Sequence, residues 1–222
     1  MSEIIKTIAV LGGTGKEGKG LAFRWAKADY KVIIGSRDAE KAQSAAAEIT
    51  KLLTGKIVDG MDNLSAAKAA AIVVLTVPYS AHKSTLEAVK DALQGKILVD
   101  VTVPLVPPKV TRVQMPPAGS AAQEAREILG EGVEVVDAFQ SISYEHLLAG
   151  DEVPCDVLVT GSSKEARMEV IKLVEAAGLI GWDAGPIENS VVVEGLTSLL
   201  IYMNKQYGST HAGIKITGLN KI

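Results

Sequence analysis

The chain has 222 residues, of which 47% are hydrophobic and only two are phenylalanine, so it can bury a large aliphatic core that favours α/β packing over an aromatic-rich β-sandwich. Lysine and arginine number 23 against 26 acidic residues, and the net charge of −3 without long blocks of one sign argues against general binding to nucleic acids or anionic membranes. The longest apolar stretch, AAAIVVLTV, is shorter than the roughly 20 residues that span a bilayer.

Short apolar runs rich in β-branched residues alternate with stretches of helical periodicity along most of the chain. This alternation is typical of a mostly parallel sheet with helices on both faces, that is, a doubly wound α/β fold of Rossmann type. The predicted strands are Ile4–Leu11, Lys31–Ser36, Lys56–Val58, Ile72–Val77, Ile97–Val101, Val133–Asp137, Cys155–Thr160 and Leu179–Ala184. The predicted helices are Lys16–Ala28, Ala39–Thr54, Leu64–Ala69, Ala81–Leu93, Ala121–Leu129 and Lys164–Ala177.

Two segments interrupt this alternation. The proline-dense stretch Pro104–Gly119 predicts a long extended loop, which in a compact domain commonly serves as a lid or a binding loop. After Pro186, the stretch ENSVVVEGLTSLLIYMNKQYG has helical spacing and an almost continuous apolar face. We therefore predict a Rossmann domain over residues 1–186 and a small C-terminal helical segment over residues 187–222. The apolar face needs cover, either from the loop around Pro107–Pro117 or, as we expect, from a second subunit in a homodimer.

The chain has one cysteine, Cys155, which lies in a predicted buried strand and cannot form an internal disulfide. The amino terminus, MSEIIKTIAVLGG, lacks the basic segment and the long apolar stretch of a cleavable signal. We therefore expect a protein of the reducing cytoplasm. We expect no metal site, because His146 and His211 lie in unrelated stretches and have no cysteine or carboxylate at the spacing of metal ligands.

The stretch VLGGTGKEGKG, residues Val10–Gly20, joins the first predicted strand to the first predicted helix and holds five glycines. In its pattern Gly13-x-Gly15-x-x-Gly18, one glycine permits a tight turn, one lets the backbone approach a pyrophosphate, and one allows close packing of helix and strand. The amides and the dipole at the helix start attract an anion without a charged side chain. This context predicts a dinucleotide site; the alternative is a glycine-rich turn that serves packing alone.

The end of the second predicted strand indicates which nucleotide binds. An NAD site carries an acidic residue here for the ribose 2′-hydroxyl, whereas an NADP site has arginine for the 2′-phosphate. In this chain Ser36 and Arg37 occupy the strand end and Lys41 follows one helical turn later, so a hydroxyl and two cations can hold a phosphate. The alternative is a helix cap followed by solvent-exposed cations. Asp38 is the competing ribose ligand, but we expect it at the helix start. The sequence thus predicts NADP(H).

Acid–base chemistry has few candidates in the sequence. His82 follows the fourth predicted strand, near the expected nicotinamide. It could contact the ligand or donate a proton, but we expect it to be a histidine on a helix surface. Tyr79 either packs on the cofactor or forms ordinary cleft wall. Hydride transfer between two redox cofactors needs only closely aligned donor and acceptor carbons and the exclusion of water. The sequence shows no evident acid–base machinery, which such a hydride transfer would not need.

Several stretches together resemble the family of NADPH-dependent reductases of the 8-hydroxy-5-deazaflavin coenzyme F420. They are AVLGGTGKEGKGLA, GSRDAEKA, VVLTVPYSAH, WDAGPIENSVVVEGLTSLL and GIKI, in this order along nearly the whole chain. The fourth stretch makes the resemblance more specific than a Rossmann pattern, because it lies outside the nucleotide loop. The resemblance implies an NADPH-dependent oxidoreductase that transfers hydride between NADP(H) and F420, with these two coenzymes as its small-molecule partners.

The resemblance also implies which residues contact the two coenzymes. Thr14 and the neighbouring loop amides would hold the pyrophosphate, and the hydroxyl and cations after the second strand would hold the 2′-phosphate. Val77 and Pro78 would line the nicotinamide side, while the deazaflavin would contact Ala138–Ser143 and the start of the last helix. The full set of expected cofactor-binding residues is Gly13, Thr14, Gly15, Lys16, Glu17, Gly18, Ser36, Arg37, Lys41, Thr76, Val77, Pro78, Tyr79, Ala138, Gln140, Ser141, Ile142, Leu196 and Thr197.

One segment departs from the family pattern. Where the family typically has His-Thr-Ile-Pro, this chain has Gln140-Ser141-Ile142-Ser143, which keeps hydrogen-bonding groups but lacks a ring that can carry a charge. This departure leaves a second hypothesis, an NADPH-dependent reductase of another acceptor such as an imine, a flavin or a metal chelate. A third hypothesis is a non-catalytic NADPH-binding sensor, which the scarcity of acid–base residues also fits.

Overall fold

The computed structural model describes residues 6–149 and 152–220, in which strands and helices alternate. The strands are β1 (Thr7–Leu11), β2 (Lys31–Ser36), β3 (Asp59–Asp62), β4 (Ile72–Leu75), β5 (Ile97–Asp100), β6 (Glu134–Asp137), β7 (Asp156–Gly161) and β8 (Ile180–Pro186). The helices are α1 (Lys16–Lys27), α2 (Ala39–Leu52), α3 (Asn63–Ala69), α4 (Tyr79–Leu93), α5 (Ala121–Leu129), α6 (Glu145–Ala149), α7 (Lys164–Ala176) and α8 (Ser190–Tyr207), with a short 3-10 helix, Ile187–Asn189, before α8.

The described strands form one eight-stranded sheet in the order β3-β2-β1-β4-β5-β6-β7-β8. Neighbouring strands are parallel except for β6 and β7, which are antiparallel. Strands covered by helices on both faces need aliphatic residues at successive positions, and Ile8–Leu11 is fully buried with alternate side chains in the cores on opposite faces. The prediction of a mostly parallel, Rossmann-type α/β fold is confirmed.

The end of the fourth predicted strand is a loop rather than a strand. β4 ends at Leu75 instead of Val77, and the following helix begins at Tyr79 instead of Ala81. Pro78 has a φ of −58° and precedes the first helical residue, where proline's fixed φ and missing N–H suit a helix start. The predicted first strand also begins later than expected, at Thr7, and its first residues, 4 and 5, lie outside the described residues.

The predicted strand Lys56–Val58 is wrong. The third strand is Asp59–Asp62, and Ile57 is 75% exposed beside it. The strand sequence DGMD has no β-branched residue, but an added Cβ at Gly60 would lie 2.5 Å from the backbone of α2, so glycine is needed for close packing of this helix. Pairing with β2 and contact with α2 therefore form this strand, and a local apolar pattern does not show such tertiary contacts. The short helix α6 was not predicted either.

The C-terminal helix α8 packs against α5 and β7. The loop before α5 covers part of it, because an added Cβ at Gly195 would lie 3.4 Å from the Met115 Cε. Several large apolar side chains of α8 stay exposed, namely Val191, Val192, Leu199, Tyr202, Met203 and Tyr207. Among residues 6–149 and 152–220, no helix has both the length and the apolarity that a membrane span needs.

Candidate functional site

A cleft of about 830 Å³ opens between the loops that follow β1, β2, β4, β5 and β6 and the helix α8. The strand order changes direction at β1, which pairs with β2 on one side and β4 on the other. In open α/β sheets, ligands bind outside the carboxyl ends of the strands at this switch point. All of the expected cofactor-binding residues line the cleft except Gly13, Lys41, Ala138 and Leu196.

The glycines of the loop after β1 have different roles. The tight turn falls on Gly12, which has a φ of +73° and which the sequence pattern did not include. An added Cβ at Gly13 would lie 2.6 Å from the Val10 carbonyl oxygen, and one at Gly18 would lie 2.7 Å from both the Gly13 Cα and the Thr76 Oγ1. Gly13 and Gly18 are therefore required by the packing of the protein itself.

Gly15 has no such packing requirement. Its φ is −73°, and the nearest heavy atom to an added Cβ is the Gly12 carbonyl oxygen at 3.6 Å. It precedes the first residue of α1 and provides no side-chain cap, so the first-turn N–H groups are left for another partner. The fold itself does not require glycine at position 15. The missing side chain instead leaves space for a ligand to approach the backbone and the positive end of the helix dipole.

Ser36 and Arg37 line one end of the cleft, where β2 ends. Asp38 does not reach into the cleft, because its Oδ1 accepts hydrogen bonds from the N–H groups of Glu40 and Lys41, at 3.0 and 3.3 Å. The expected place of Asp38 at the helix start is confirmed. The Lys41 side chain is 75% exposed outside the cleft, with its Nζ 3.7 Å from the Asp38 Oδ2.

The loop after β4 forms the middle of the cleft. The Thr76 hydroxyl donates to the Leu11 carbonyl oxygen at 3.0 Å, which fixes this loop to β1 beside the glycine loop. Val77 and Pro78 follow it in the cleft wall. Tyr79 is half-buried, and burial together with the negative charge of Glu124 raises the pKa of its phenol to about 12. The phenol is therefore protonated at neutral pH and does not act as a base.

His82 is not on a helix surface, and that prediction is wrong. It is fully buried on the inner face of α4, with its Nε2 2.7 Å from the Asp100 Oδ2 and its Nδ1 3.5 Å from the Glu124 Oε2. Burial lowers the pKa of His82, but the hydrogen bond and charge of Asp100 and the charge of Glu124 raise it above its ordinary value overall. His82 does not line the cleft, so it holds the end of β5 rather than meeting a ligand.

Gln140 connects three elements at the other end of the cleft. Its Nε2 donates to the Asp100 carbonyl oxygen at 2.8 Å and to the Asp137 Oδ1. The backbone carbonyl oxygen of Gln140 accepts a hydrogen bond from the Thr197 hydroxyl of α8 at 2.8 Å. The carboxyl of Asp137 is fully buried, and burial with the negative charges of Glu194 and Asp100 raises its pKa well above the ordinary range. The side-chain amide of Gln140 thus fixes the turn after β6 to the sheet.

The sequence did not identify every residue that lines the cleft, and two of the groups it missed are the loop after β5 and the chain after α8. Residues 101–103 line one wall together with Leu105, Pro107 and Val110 of the proline-dense stretch, whose role as a lid or binding loop stays a prediction. The other group is the chain after α8, where Thr210 and Ala212 reach the cleft. The stretch GIKI explains its position, because the Ile214 carbonyl oxygen and the Ile216 N–H bond to the backbone and side chain of Asp156, each at 2.8 Å. This pairing with β7 is a tertiary contact, so the sequence pattern alone does not show that the chain after α8 reaches the cleft.

The side chains around the cleft do not form a metal centre. Within the part of the chain that the structure describes, no group of three or more histidine, cysteine, aspartate or glutamate residues could hold a metal ion. Glu17 is the acidic residue that lines the cleft among the described residues, and burial raises the pKa of its carboxyl to about 8. Asp100, which does not line the cleft, bonds to His82 and to the Thr102 N–H. The cleft is therefore suited to binding and alignment of organic ligands through backbone amides, hydroxyls and one guanidinium.

Comparison with known proteins gives consistent matches. The family model described as NADP oxidoreductase, coenzyme F420-dependent, matches residues 7–104. The F420-dependent NADP reductase of Methanocaldococcus jannaschii is 42% identical, over 96% of this chain and 98% of that protein. The one of Methanothermobacter thermautotrophicus is 40% identical, over 97% of each. A crystal structure of a candidate F420-dependent NADP reductase from Arthrobacter sp. FB24 has a TM-score of 0.78 at 26% identity, covering 95% of this chain and 99% of that one.

Proposed function

The chain belongs to the family of F420-dependent NADP reductases, and on this premise we propose that it transfers hydride directly between NADP(H) and coenzyme F420. One observation carries the proposal: a single continuous cleft contains a glycine loop and an arginine at one end and the turn of Gln140–Ile142 with Thr197 at the other. Two coenzymes that meet in one cleft can bring their reacting carbons together without any covalent step on the protein.

We assign the nucleotide to the end of the cleft formed by β1, β2 and β4. The free N–H groups after Gly15 would hold the pyrophosphate, since the loop offers room there and the helix dipole favours an anion. Ser36 and Arg37 would hold the 2′-phosphate. Lys41 faces solvent, so its contribution would be a weak, long-range attraction. The loop that contains Val77 would then carry the nicotinamide.

We assign the deazaflavin to the opposite end. The turn of Gln140–Ile142, Thr197 and the loop after β5 line this end of the cleft together. Ala138 and Leu196 do not line the cleft and would support this wall from behind. When bound, the coenzymes supply the hydride donor and acceptor carbons. The protein aligns them and excludes water, and the buried position of His82 leaves no histidine in the cleft wall within the described residues.

We expect purified protein to exchange hydride between NADPH and oxidised F420. The measurement is the simultaneous loss of the visible deazaflavin absorbance and the ultraviolet NADPH absorbance, with reactions lacking one coenzyme as controls. Absence of any exchange would exclude the proposal. Turnover with an imine, a flavin or a metal chelate but not with F420 would favour the second hypothesis from the sequence, and tight NADPH binding without turnover would favour a sensor.

We further propose a homodimer that buries the outer face of α8. The large side chains exposed there include Val192, Leu199 and Tyr207, which are 63%, 50% and 77% exposed, and such a face commonly marks an interface. Sedimentation should therefore give twice the chain mass of 23.3 kDa, and L199E should shift it towards the monomer. A wild-type monomer at micromolar concentration would refute the dimer.

The single cysteine fits a reducing, cytoplasmic setting, which stays a prediction.

A further inference from the structure

Glu194 is the one acidic residue of α8, and it takes no part in the chemistry proposed above. Its side chain is fully buried. The Oε2 accepts a hydrogen bond from the Ala121 N–H at 2.7 Å, and the Oε1 accepts one from the Ala122 N–H at 3.0 Å. These amides belong to the first turn of α5, where N–H groups have no partner within the helix. A side chain of α8 thus supplies the partners that the start of α5 lacks.

Glu194 joins a helix of the cleft wall, α8, to the start of α5, which lies next to that wall. Three residues after Glu194, α8 carries Thr197, whose hydroxyl holds the Gln140 carbonyl oxygen at 2.8 Å. On the other side, α5 begins where the cleft-lining proline-dense loop ends. The same loop also packs on α8 directly, because the Met115 side chain lies against Gly195. The bonds of Glu194 therefore hold the start of α5, and with it the end of the proline-dense loop, against α8.

A buried carboxyl is a costly way to join two helices. Burial and the nearby charge of Asp100 raise the pKa of Glu194 to about 8, although the two N–H groups and the charge of His82 lower it. The carboxyls of Asp100 and Asp137 and the phenol of Tyr79 are the other titratable groups that interact with it. Apolar residues of similar volume pack helices at least as stably as buried ionisable groups. What the carboxyl adds is a defined geometry between α8 and α5.

We propose that Glu194 is a positioning residue for the hydride acceptor: it fixes α8 and the proline-dense loop at the separation that the deazaflavin needs, without touching either coenzyme. This inference rests on the proposed function. The nucleotide end of the cleft is formed by β1, β2 and β4, which Glu194 does not contact through a hydrogen bond in the described residues. Its removal should therefore affect the two coenzymes unequally.

The test compares two variants that each remove a side-chain partner of the α5 start. E194Q keeps the side-chain volume but replaces one acceptor oxygen with an N–H₂ group that faces a backbone N–H. S120A removes the hydroxyl that accepts from the Gln123 N–H at 3.0 Å, and it leaves the bonds of Glu194 intact. We expect E194Q to raise the KM for F420 about tenfold while the Kd for NADPH stays unchanged. S120A should lower Tm without changing either constant.

The inference would be overturned if E194Q and S120A changed the KM for F420 by the same factor. It would also be overturned if E194Q changed the Kd for NADPH by as large a factor as the KM for F420. Should E194Q fail to fold, E194D replaces it, since this variant keeps the carboxyl group but shortens the side chain, and the same outcomes apply. Hydrogen exchange without any acceptor separates the inference from the proposed function. Amides of 190–204 and 110–122 should lose protection in E194Q but not in S120A, whether or not the wild type reacts with F420.

Discussion

Replacing Gly15 with alanine should strongly weaken dinucleotide binding while the protein keeps its fold. An added Cβ meets only the Gly12 carbonyl oxygen, at an ordinary 3.6 Å, and the φ of −73° suits alanine. The methyl group would instead occupy the space that a pyrophosphate needs to reach the first-turn N–H groups of α1. Hydrogen bonds to a charged group are strong, so we expect the Kd for NADPH to rise about a hundredfold. Fluorescence titration measures this, and circular dichroism with Tm checks the fold.

Gly18 provides the matched control for this prediction. An added Cβ there would lie 2.7 Å from the Gly13 Cα, which is backbone and cannot move aside, so G18A should lower Tm as well as binding. G15A should lose binding for NADPH and NADH alike, because both nucleotides carry the pyrophosphate. A G15A protein with wild-type affinity would show that the loop is glycine-rich for packing alone, which is the alternative that the sequence left open.

The fold could be predicted because its cause is local. Parallel strands buried on both faces require aliphatic residues at every position, and runs such as Ile8–Leu11 show this directly. The strand Asp59–Asp62 could not be predicted, because it depends on β2 and on the close approach of α2 at Gly60. In the same way, the periodicity of α4 places His82 on a helix face but does not show that Asp100 lies opposite.

The residues of the candidate site differ in the same way: some follow from local sequence spacing, and others depend on distant contacts. Ser36 and Arg37 could be found from the sequence because they stand at a fixed distance from the glycine loop in this fold. The role of Gln140 could not, since its partners Asp100 and Thr197 come from distant parts of the chain. The sequence placed the tight turn at a glycine of the pattern Gly13-x-Gly15-x-x-Gly18, whereas the backbone conformation shows that Gly12, outside the pattern, makes it.

Replacing Arg37 with glutamate should reverse the preference between the two nicotinamide nucleotides. Arg37 is the guanidinium at the end of β2 in the cleft wall, and the neighbouring Asp38 is occupied with capping α2. A charge-assisted hydrogen bond to a phosphate dianion would be replaced by repulsion, so we expect the Kd for NADPH to rise about a hundredfold or more. The Kd for NADH should change little, because NADH lacks the 2′-phosphate, and R37E could bond its ribose hydroxyls. Titration with both nucleotides measures the ratio.

Lys41 separates a contact at the 2′-phosphate from a general effect of positive charge. K41A removes one positive charge from the same region, but its side chain is exposed and its Nζ lies 3.7 Å from the Asp38 Oδ2 outside the cleft. Solvent and salt screen such a charge, so we expect the Kd for NADPH to change by about threefold at most. If K41A and R37E weakened NADPH binding equally, the preference would come from the field of the whole patch. If R37E left the ratio of the two affinities unchanged, the 2′-phosphate would bind elsewhere and the assignment of the cleft ends would fall.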